Sequence, residues 1–142
     1  FGQNAKAGIE RARRQVARLL NAKPTEIVFT SGGTEAANLA ILGVIRAIKA
    51  PRKHVITSTI EHPAVLNTCK ALEREGIEVT YVGVAPSGVV SVEDVRKALR
   101  PETVLVSIMH ANNELGTVQP ISEIAALARE GVELAAPMIQ AA

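Results

Sequence analysis

The apolar residues of the chain recur with two different periods, and the two periods alternate along the sequence. Spacings of three and four residues, as at Ile9, Ala12, Val16 and Leu19, are typical of a helix with one buried face. Alternation of apolar and polar residues, as in 77–84, is typical of a strand. The pattern predicts helices at 3–20, 35–49, 63–75, between 91 and 101, and at 120–130, and strands at 26–30, 54–58, 77–84 and 103–108.

Strands that alternate with helices predict an α/β fold in three layers, with a mostly parallel sheet between two layers of helices. Local end signals support these elements: Pro63 suits the first position of a helix, and Gly76 follows the end of that helix. Ser91 is expected to cap the next helix, with Asp94 three residues later. The 142 residues are enough for one domain or part of one.

Composition excludes several functional classes. The net charge of +2 is too small to indicate nucleic-acid binding, and three aromatic residues offer few platforms for base stacking. No apolar stretch is long enough for a membrane span, and no signal peptide opens the sequence, so a cytoplasmic protein without a membrane partner is expected. The single cysteine, Cys69, excludes an internal disulfide, and we expect it to be a small buried residue.

Residues 29–35, Phe-Thr-Ser-Gly-Gly-Thr-Glu, follow a predicted strand and precede a predicted helix. Such a turn places backbone N–H groups at the positive end of the helix dipole, which favours a bound anion such as phosphate. The residues do not match the nucleotide-binding P-loop, since no lysine follows. The alternative is an ordinary turn that uses glycine for its backbone freedom.

Polar clusters directly follow three of the predicted strands, at 30–34, 59–62 and 110–114. In open α/β sheets ligands bind outside the carboxyl ends of the strands, so these clusters are expected to converge on one site.

Residues 27–38, 61–66 and 107–121 resemble, in order and spacing, three motifs of the cysteine desulfurases, which are pyridoxal-phosphate enzymes of the class V aminotransferase group. The resemblance extends from residue 1 to about 130. It implies that 1–142 is part of the large, cofactor-binding domain of a fold-type-I enzyme, without the family's N-terminal segment and C-terminal half.

The resemblance also assigns roles to single residues. Gly33 and Thr34 match the positions that hold the cofactor phosphate, and Asn113 matches an asparagine that hydrogen-bonds the cofactor's phenolic oxygen. His62 matches the histidine that stacks over the pyridine ring and moves protons, a role that suits a side chain with a pKa near neutrality. Gln140 matches a glutamine near the phenolic oxygen. His110 and Glu114 are expected to be structural, and His54 is expected to be an ordinary residue at the start of a strand.

Without the resemblance, the preferred interpretation of His62 is a helix-entry residue before Pro63, and the alternative for the cluster 112–114 is a turn that satisfies its own backbone.

The implied reaction converts cysteine to alanine and leaves the sulfur as a persulfide on an enzyme cysteine. A homodimer, a sulfur-acceptor protein and a part in iron–sulfur cluster assembly follow from the same resemblance. A selenocysteine lyase is an alternative within the enzymes. The other alternative is an inactive remnant that binds only an anion or a partner protein.

The chain alone is expected to be inactive. In the family pattern the cofactor lysine and the sulfur-accepting cysteine lie beyond residue 142, and none of the six lysines present has the family context. Residues 131–142 depart from the pattern, and Pro137 stands where an aspartate is expected to pair with the pyridinium nitrogen. Half a sheet would expose an apolar edge, which predicts an oligomeric or poorly soluble chain.

Overall fold

The computed structural model describes residues 2–131, and the contacts divide the chain after Ser31 into two compact units. The first unit contains α1 (Gly2–Leu19) and a short 3-10 turn (Pro24–Glu26). Within this unit the Arg13 guanidinium donates a hydrogen bond to the carbonyl of Ile27 and lies 5.1 Å from the centroid of the Phe29 ring. Arg13 therefore ties the segment after the turn to the first helix.

The predicted strand 26–30 is wrong. Glu26 belongs to the 3-10 turn, which Pro24 initiates, and no strand pairs with residues 27–30 among those that the structure describes. Ile27 does have an extended backbone, with φ −95° and ψ 125°. The apolar residues thus favour an extended conformation, but a strand also needs a neighbour for its N–H and C=O groups.

The second unit contains the sheet. Its helices are α2 (Gly33–Ala47), α3 (Pro63–Arg74), α4 (Val92–Ala98) and α5 (Ile121–Gly131), and its strands are β1 (His54–Ser58), β2 (Glu78–Val82) and β3 (Thr103–Ser107). The strands are parallel and lie in the order β2-β1-β3. Helices α3 and α4 make the crossovers that parallel strands require. No helix within residues 2–131 is both long and apolar enough to span a lipid bilayer.

Two apolar cores lie on opposite faces of this sheet. Val55 packs with residues of α2 and α3, while the next residue, Ile56, packs with residues of α4 and α5. Successive side chains of a strand point to opposite faces, so β1 is buried on both sides, and all five of its residues are buried. The predicted three-layer α/β architecture is confirmed.

The helix ends follow the expected local chemistry. Pro63 is the first residue of α3, and Gly76 has the positive φ of +85° that glycine adopts at low cost after a helix. The Ser91 hydroxyl accepts a hydrogen bond from the N–H of Asp94 at 3.3 Å, which confirms the predicted cap. Strand β2 is shorter than predicted, because Val84 pairs only in an isolated bridge with Val90.

His54, at the start of β1, is fully buried and links all three strands. Its Nδ1 lies 2.8 Å from the Thr103 hydroxyl of β3, and its Nε2 lies 2.8 Å from the Thr80 hydroxyl of β2. Burial, with a smaller contribution from the charge of Arg100, lowers the pKa of His54 to about 4. The sequence predicted only an ordinary residue at the start of a strand. The hydrogen bonds of His54 were not predicted, because both threonines are distant in the sequence.

Candidate functional site

A cavity of about 530 Å³ lies at the carboxyl ends of β1 and β3 in the second unit. Three segments meet there: the N-terminus of α2, the loop after β1 (59–62, here the β1 loop) and the loop after β3 (108–120, here the β3 loop). The lining includes Gly33 and Thr34 from α2, Glu61 and His62 from the β1 loop, and His110 and Asn113 from the β3 loop. The three polar clusters were expected to converge on one site at the carboxyl ends of the strands, and this is confirmed for these residues.

The N-terminus of α2 offers backbone donors to the cavity. The first helical hydrogen bond runs from the N–H of Ala36 to the carbonyl of Gly32 at 3.0 Å, so the N–H groups of Gly33 and Thr34 precede the helical ladder. A Cβ built on Gly33 meets no atom within 4 Å, so glycine leaves this helix end open to close approach. The arrangement suits an anion, and a phosphate group in particular.

His62 caps the next helix and lines the same cavity. Its Nδ1 accepts a hydrogen bond from the N–H of Ala64 at 3.1 Å, while the residue as a whole is exposed. Because Nδ1 acts as acceptor, we assign the proton of the neutral ring to Nε2. The helix-entry interpretation and the cavity interpretation are thus compatible for this residue.

Glu61 is a buried residue for which the sequence analysis predicted no role. It is 6% exposed, and its Oε1 accepts hydrogen bonds from the Ser58 hydroxyl at 2.7 Å and from the N–H of Met109 at 2.9 Å. Burial raises the pKa of Glu61, and the two hydrogen bonds oppose that rise. A role for Glu61 was indicated in the sequence only by its position, three residues after a fully buried strand and at the edge of the sheet where ligands bind.

Asn112 and Asn113 have different surroundings. Asn112 is buried, and its Oδ1 accepts hydrogen bonds from the N–H groups of Glu114 and Leu115 at 2.9 and 2.8 Å. It therefore forms the self-satisfying turn that was the alternative interpretation of this cluster. Asn113 is exposed and lines the cavity. His110, expected to be structural, also lines the cavity.

Cys69 is fully buried in the core between α2 and α3. Burial raises the pKa of its thiol to about 11, and the charges of Glu61 and Glu73 act in the same direction. The expected small buried residue is confirmed, and the thiol is protonated at neutral pH, so it is a poor nucleophile.

Among the residues that the structure describes, no lysine lines the cavity. The same residues contain no group of three His, Cys, Asp or Glu side chains that could hold a metal ion. Gln140 and Pro137 lie outside the described residues.

The cavity lining fits pyridoxal phosphate in the kinds of polar group that it offers. The open N-terminus of α2, a histidine of the β1 loop and an asparagine of the β3 loop all line the cavity. A phosphate ester on an aromatic ring needs such a combination, with charge-complementary donors for the phosphate and polar side chains for the ring.

The chain is similar to known proteins in sequence and in fold. The sequence model of the aminotransferase class-V family matches residues 1–142. The chain is 51% identical over 130 residues to the cysteine desulfurase IscS of Dictyoglomus turgidum, covering 92% of this chain and 33% of that protein. It is 55% identical over 129 residues to IscS of Aeromonas salmonicida, covering 91% and 32%.

A solved structure described as SspA in complex with cysteine superposes with a TM-score of 0.87 at 48% identity, covering 91% of this chain and 37% of that one. The chain thus spans about a third of the length of the curated relatives it matches. Because the family match covers the whole chain, and a relative's structure has the same fold, the chain belongs to the aminotransferase class-V family of pyridoxal-phosphate-dependent enzymes.

Proposed function

We propose that this chain forms the phosphate-binding and ring-contacting part of a pyridoxal-phosphate-dependent cysteine desulfurase. The observation that carries the proposal is the convergence of the α2 N-terminus, His62 and Asn113 on one cavity of about 530 Å³. The identities of 51% and 55% to proteins named cysteine desulfurase support cysteine as the substrate.

The cofactor phosphate is held at the N-terminus of α2. The N–H groups of Gly33 and Thr34 donate to it, and the Thr34 hydroxyl supplies a further donor. Hydrogen bonds to a charged acceptor are worth about 1.5–3 kcal/mol each, so two or three of them account for much of a cofactor's affinity. The 15-residue helix α2 adds its dipole to these bonds.

The other two segments act on the ring. Asn113 donates a hydrogen bond from its amide to the phenolic oxygen, which fixes the orientation of the ring. His62 would cover the ring and present its Nε2–H there while Nδ1 accepts from the N–H of Ala64 at 3.1 Å, and proton transfer by the imidazole would use the Nδ1 lone pair once that bond opens. When bound, pyridoxal phosphate supplies an electron sink for bonds at the α-carbon of the amino acid.

The wider functional context rests on the resemblance and on the named relatives. We infer a cytoplasmic homodimer that passes cysteine sulfur to an acceptor protein for iron–sulfur cluster assembly. The lysine that holds the cofactor and the cysteine that accepts the sulfur are then supplied by residues outside this 142-residue sequence. Selenocysteine remains the alternative substrate.

The proposal is tested with pyridoxamine 5′-phosphate, which carries the ring and the phosphate but no aldehyde and therefore cannot react with the six lysines. Its fluorescence is titrated with the chain, and non-phosphorylated pyridoxamine is titrated in parallel. We expect the phosphorylated ligand to bind about 100-fold more tightly, because pyridoxamine lacks two or more charged hydrogen bonds.

The matched variants are Gly33→Ala and Gly43→Ala. Both glycines lie in α2, and a Cβ at either position meets no atom within 4 Å. Gly33→Ala should weaken binding about tenfold or more, because the methyl group intrudes where the phosphate approaches the backbone. Gly43→Ala should leave binding unchanged. Equal affinities for the two ligands, or equal effects of the two variants, would refute the phosphate site.

A further inference from the structure

The β1 loop and the β3 loop are tied to each other by two reciprocal hydrogen bonds. Glu61 of the β1 loop accepts a hydrogen bond from the N–H of Met109 at 2.9 Å, in the β3 loop. In the opposite direction, the Asn112 side-chain amide donates to the carbonyl of Ile60 at 3.0 Å. Each loop therefore extends one side chain to the backbone of the other, and we call this pair of bonds the loop latch.

Both side chains of the loop latch are buried, and both have further bonds that fix them. Glu61 is 6% exposed and also accepts from the Ser58 hydroxyl at the end of β1. Asn112 is 7% exposed, and its Oδ1 accepts the two backbone N–H groups that fold its own turn. Glu61 Oε1 and Asn112 Oδ1 each accept two hydrogen bonds, and rotation of either side chain would leave buried donors unsatisfied, so both side chains are held in place.

Each latch residue directly precedes a residue of the proposed cofactor site. Glu61 is followed by His62, and Asn112 is followed by Asn113, and both following residues line the cavity. Along the chain, the two loops are joined only through β2 and β3 with their helices. The pairing of β1 with β3 brings the starts of the two loops together, and beyond the ends of these strands the relative position of His62 and Asn113 depends on contacts between the loops.

We propose that Glu61 and Asn112 are positioning residues that set the placement of His62 against Asn113, so that both side chains reach one ring at once. The proposal rests on the proposed cofactor site for its purpose, but the latch itself is a property of this chain and can be measured without ligand. Neither latch residue needs to touch the cofactor for this role.

The test uses the ¹⁵N-labelled chain of 15.0 kDa in solution NMR, at a concentration at which light scattering finds no aggregate. The variants are Glu61→Ala, Glu61→Gln and Asn112→Ala, and the control is Gln119→Ala. Gln119 is 3% exposed and ties the β3 loop to a different segment, through Gly88 at 2.9 Å and Val90 at 2.8 Å. The control therefore removes a buried polar link of the same loop without touching the β1 loop.

Two readouts separate positioning from general stability. In Asn112→Ala, exchange of the Met109 amide hydrogen should accelerate about tenfold, because the loss of one bond loosens the other. The amide resonance of Asn113 should move in Glu61→Ala, that of His62 should move in Asn112→Ala, and both should stay in place in Gln119→Ala. Unchanged Met109 exchange, or unmoved His62 and Asn113 resonances, would overturn the proposal whether or not ligand binds.

Binding of pyridoxamine 5′-phosphate links the latch to function. Glu61→Ala and Asn112→Ala should weaken binding about tenfold, and Glu61→Gln, which keeps a carbonyl acceptor for Met109, should recover most of the loss. Equal weakening by Gln119→Ala would overturn the positioning role. If the unaltered chain binds no ligand, the proposed cofactor site fails, and the latch is decided by the exchange and resonance measurements alone.

Discussion

His54 makes the stability of the fold depend on pH in a calculable way. The ring is fully buried between two threonine hydroxyls, and its pKa falls from 6.5 to about 4 on folding. The unfolded chain therefore binds the proton more readily than the folded chain. The stabilising contribution is complete above pH 6.5 and is lost as the pH falls towards 4.

The size of the effect follows from the two pKa values. A difference of one pKa unit corresponds to about 1.4 kcal/mol, so the full loss well below pH 4 is about 3 kcal/mol. Between pH 7 and pH 5 the same two values give a loss of about 2 kcal/mol in the free energy of unfolding. This is a large share of the roughly 5–15 kcal/mol that is typical of a domain.

The assay is urea unfolding at pH 7 and pH 5, followed by circular dichroism at 222 nm because the chain has no tryptophan. His54→Gln is the comparison, since its amide can bond the Thr80 and Thr103 hydroxyls but does not titrate. All other titrating groups are common to both proteins and cancel in the difference. We expect the unaltered chain to lose about 2 kcal/mol more than the variant between the two pH values. An equal loss in both proteins would refute the assignment of the pH dependence to His54.

Two further predictions concern the core between α2 and α3. Leu72→Ala should lower the free energy of unfolding by about 3 kcal/mol because Leu72 is only 1% exposed, whereas Leu39→Ala, at a position 51% exposed, should change it by less than about 0.5 kcal/mol. Similar effects of the two changes would contradict the assigned core. Cys69 should react with an aromatic disulfide reagent only after unfolding, because it is buried and burial raises its pKa to about 11. Rapid labelling of the folded chain at pH 7.5 would contradict that burial.

The sequence was sufficient for the features that depend on neighbouring residues. Strand β1 begins and ends at the predicted residues. Both of its faces are buried, and Lys53 and Thr59 flank it with a charged and a polar side chain. The start of α3 at Pro63 and the cap at Ser91 are likewise local. The strand prediction for 26–30 was wrong because apolar residues favour an extended backbone but do not determine whether a neighbouring strand is present.

The location of the candidate site could be predicted from the sequence, but only some of its contacts could. The rule that ligands bind at the carboxyl ends of parallel strands brought His62 and Asn113 to one cavity. The role of Glu61 was not visible, because its partner, the Met109 N–H, lies 48 residues away in the sequence. Such a contact forms only when β1 and β3 are neighbours in the sheet, and the spacing of apolar residues along the chain does not predict it.

The position of His62 as the cap of α3 has a consequence for any experiment that removes this side chain. The hydrogen bond from the Ala64 N–H to Nδ1 ends with the imidazole, so His62→Ala withdraws a helix cap worth about 1 kcal/mol along with the proton carrier. Asparagine is among the best capping residues and carries no group that titrates near neutrality. The change His62→Asn therefore separates the two contributions, and the difference in affinity for pyridoxamine 5′-phosphate between the asparagine and alanine variants measures how far the proposed site depends on a properly started helix.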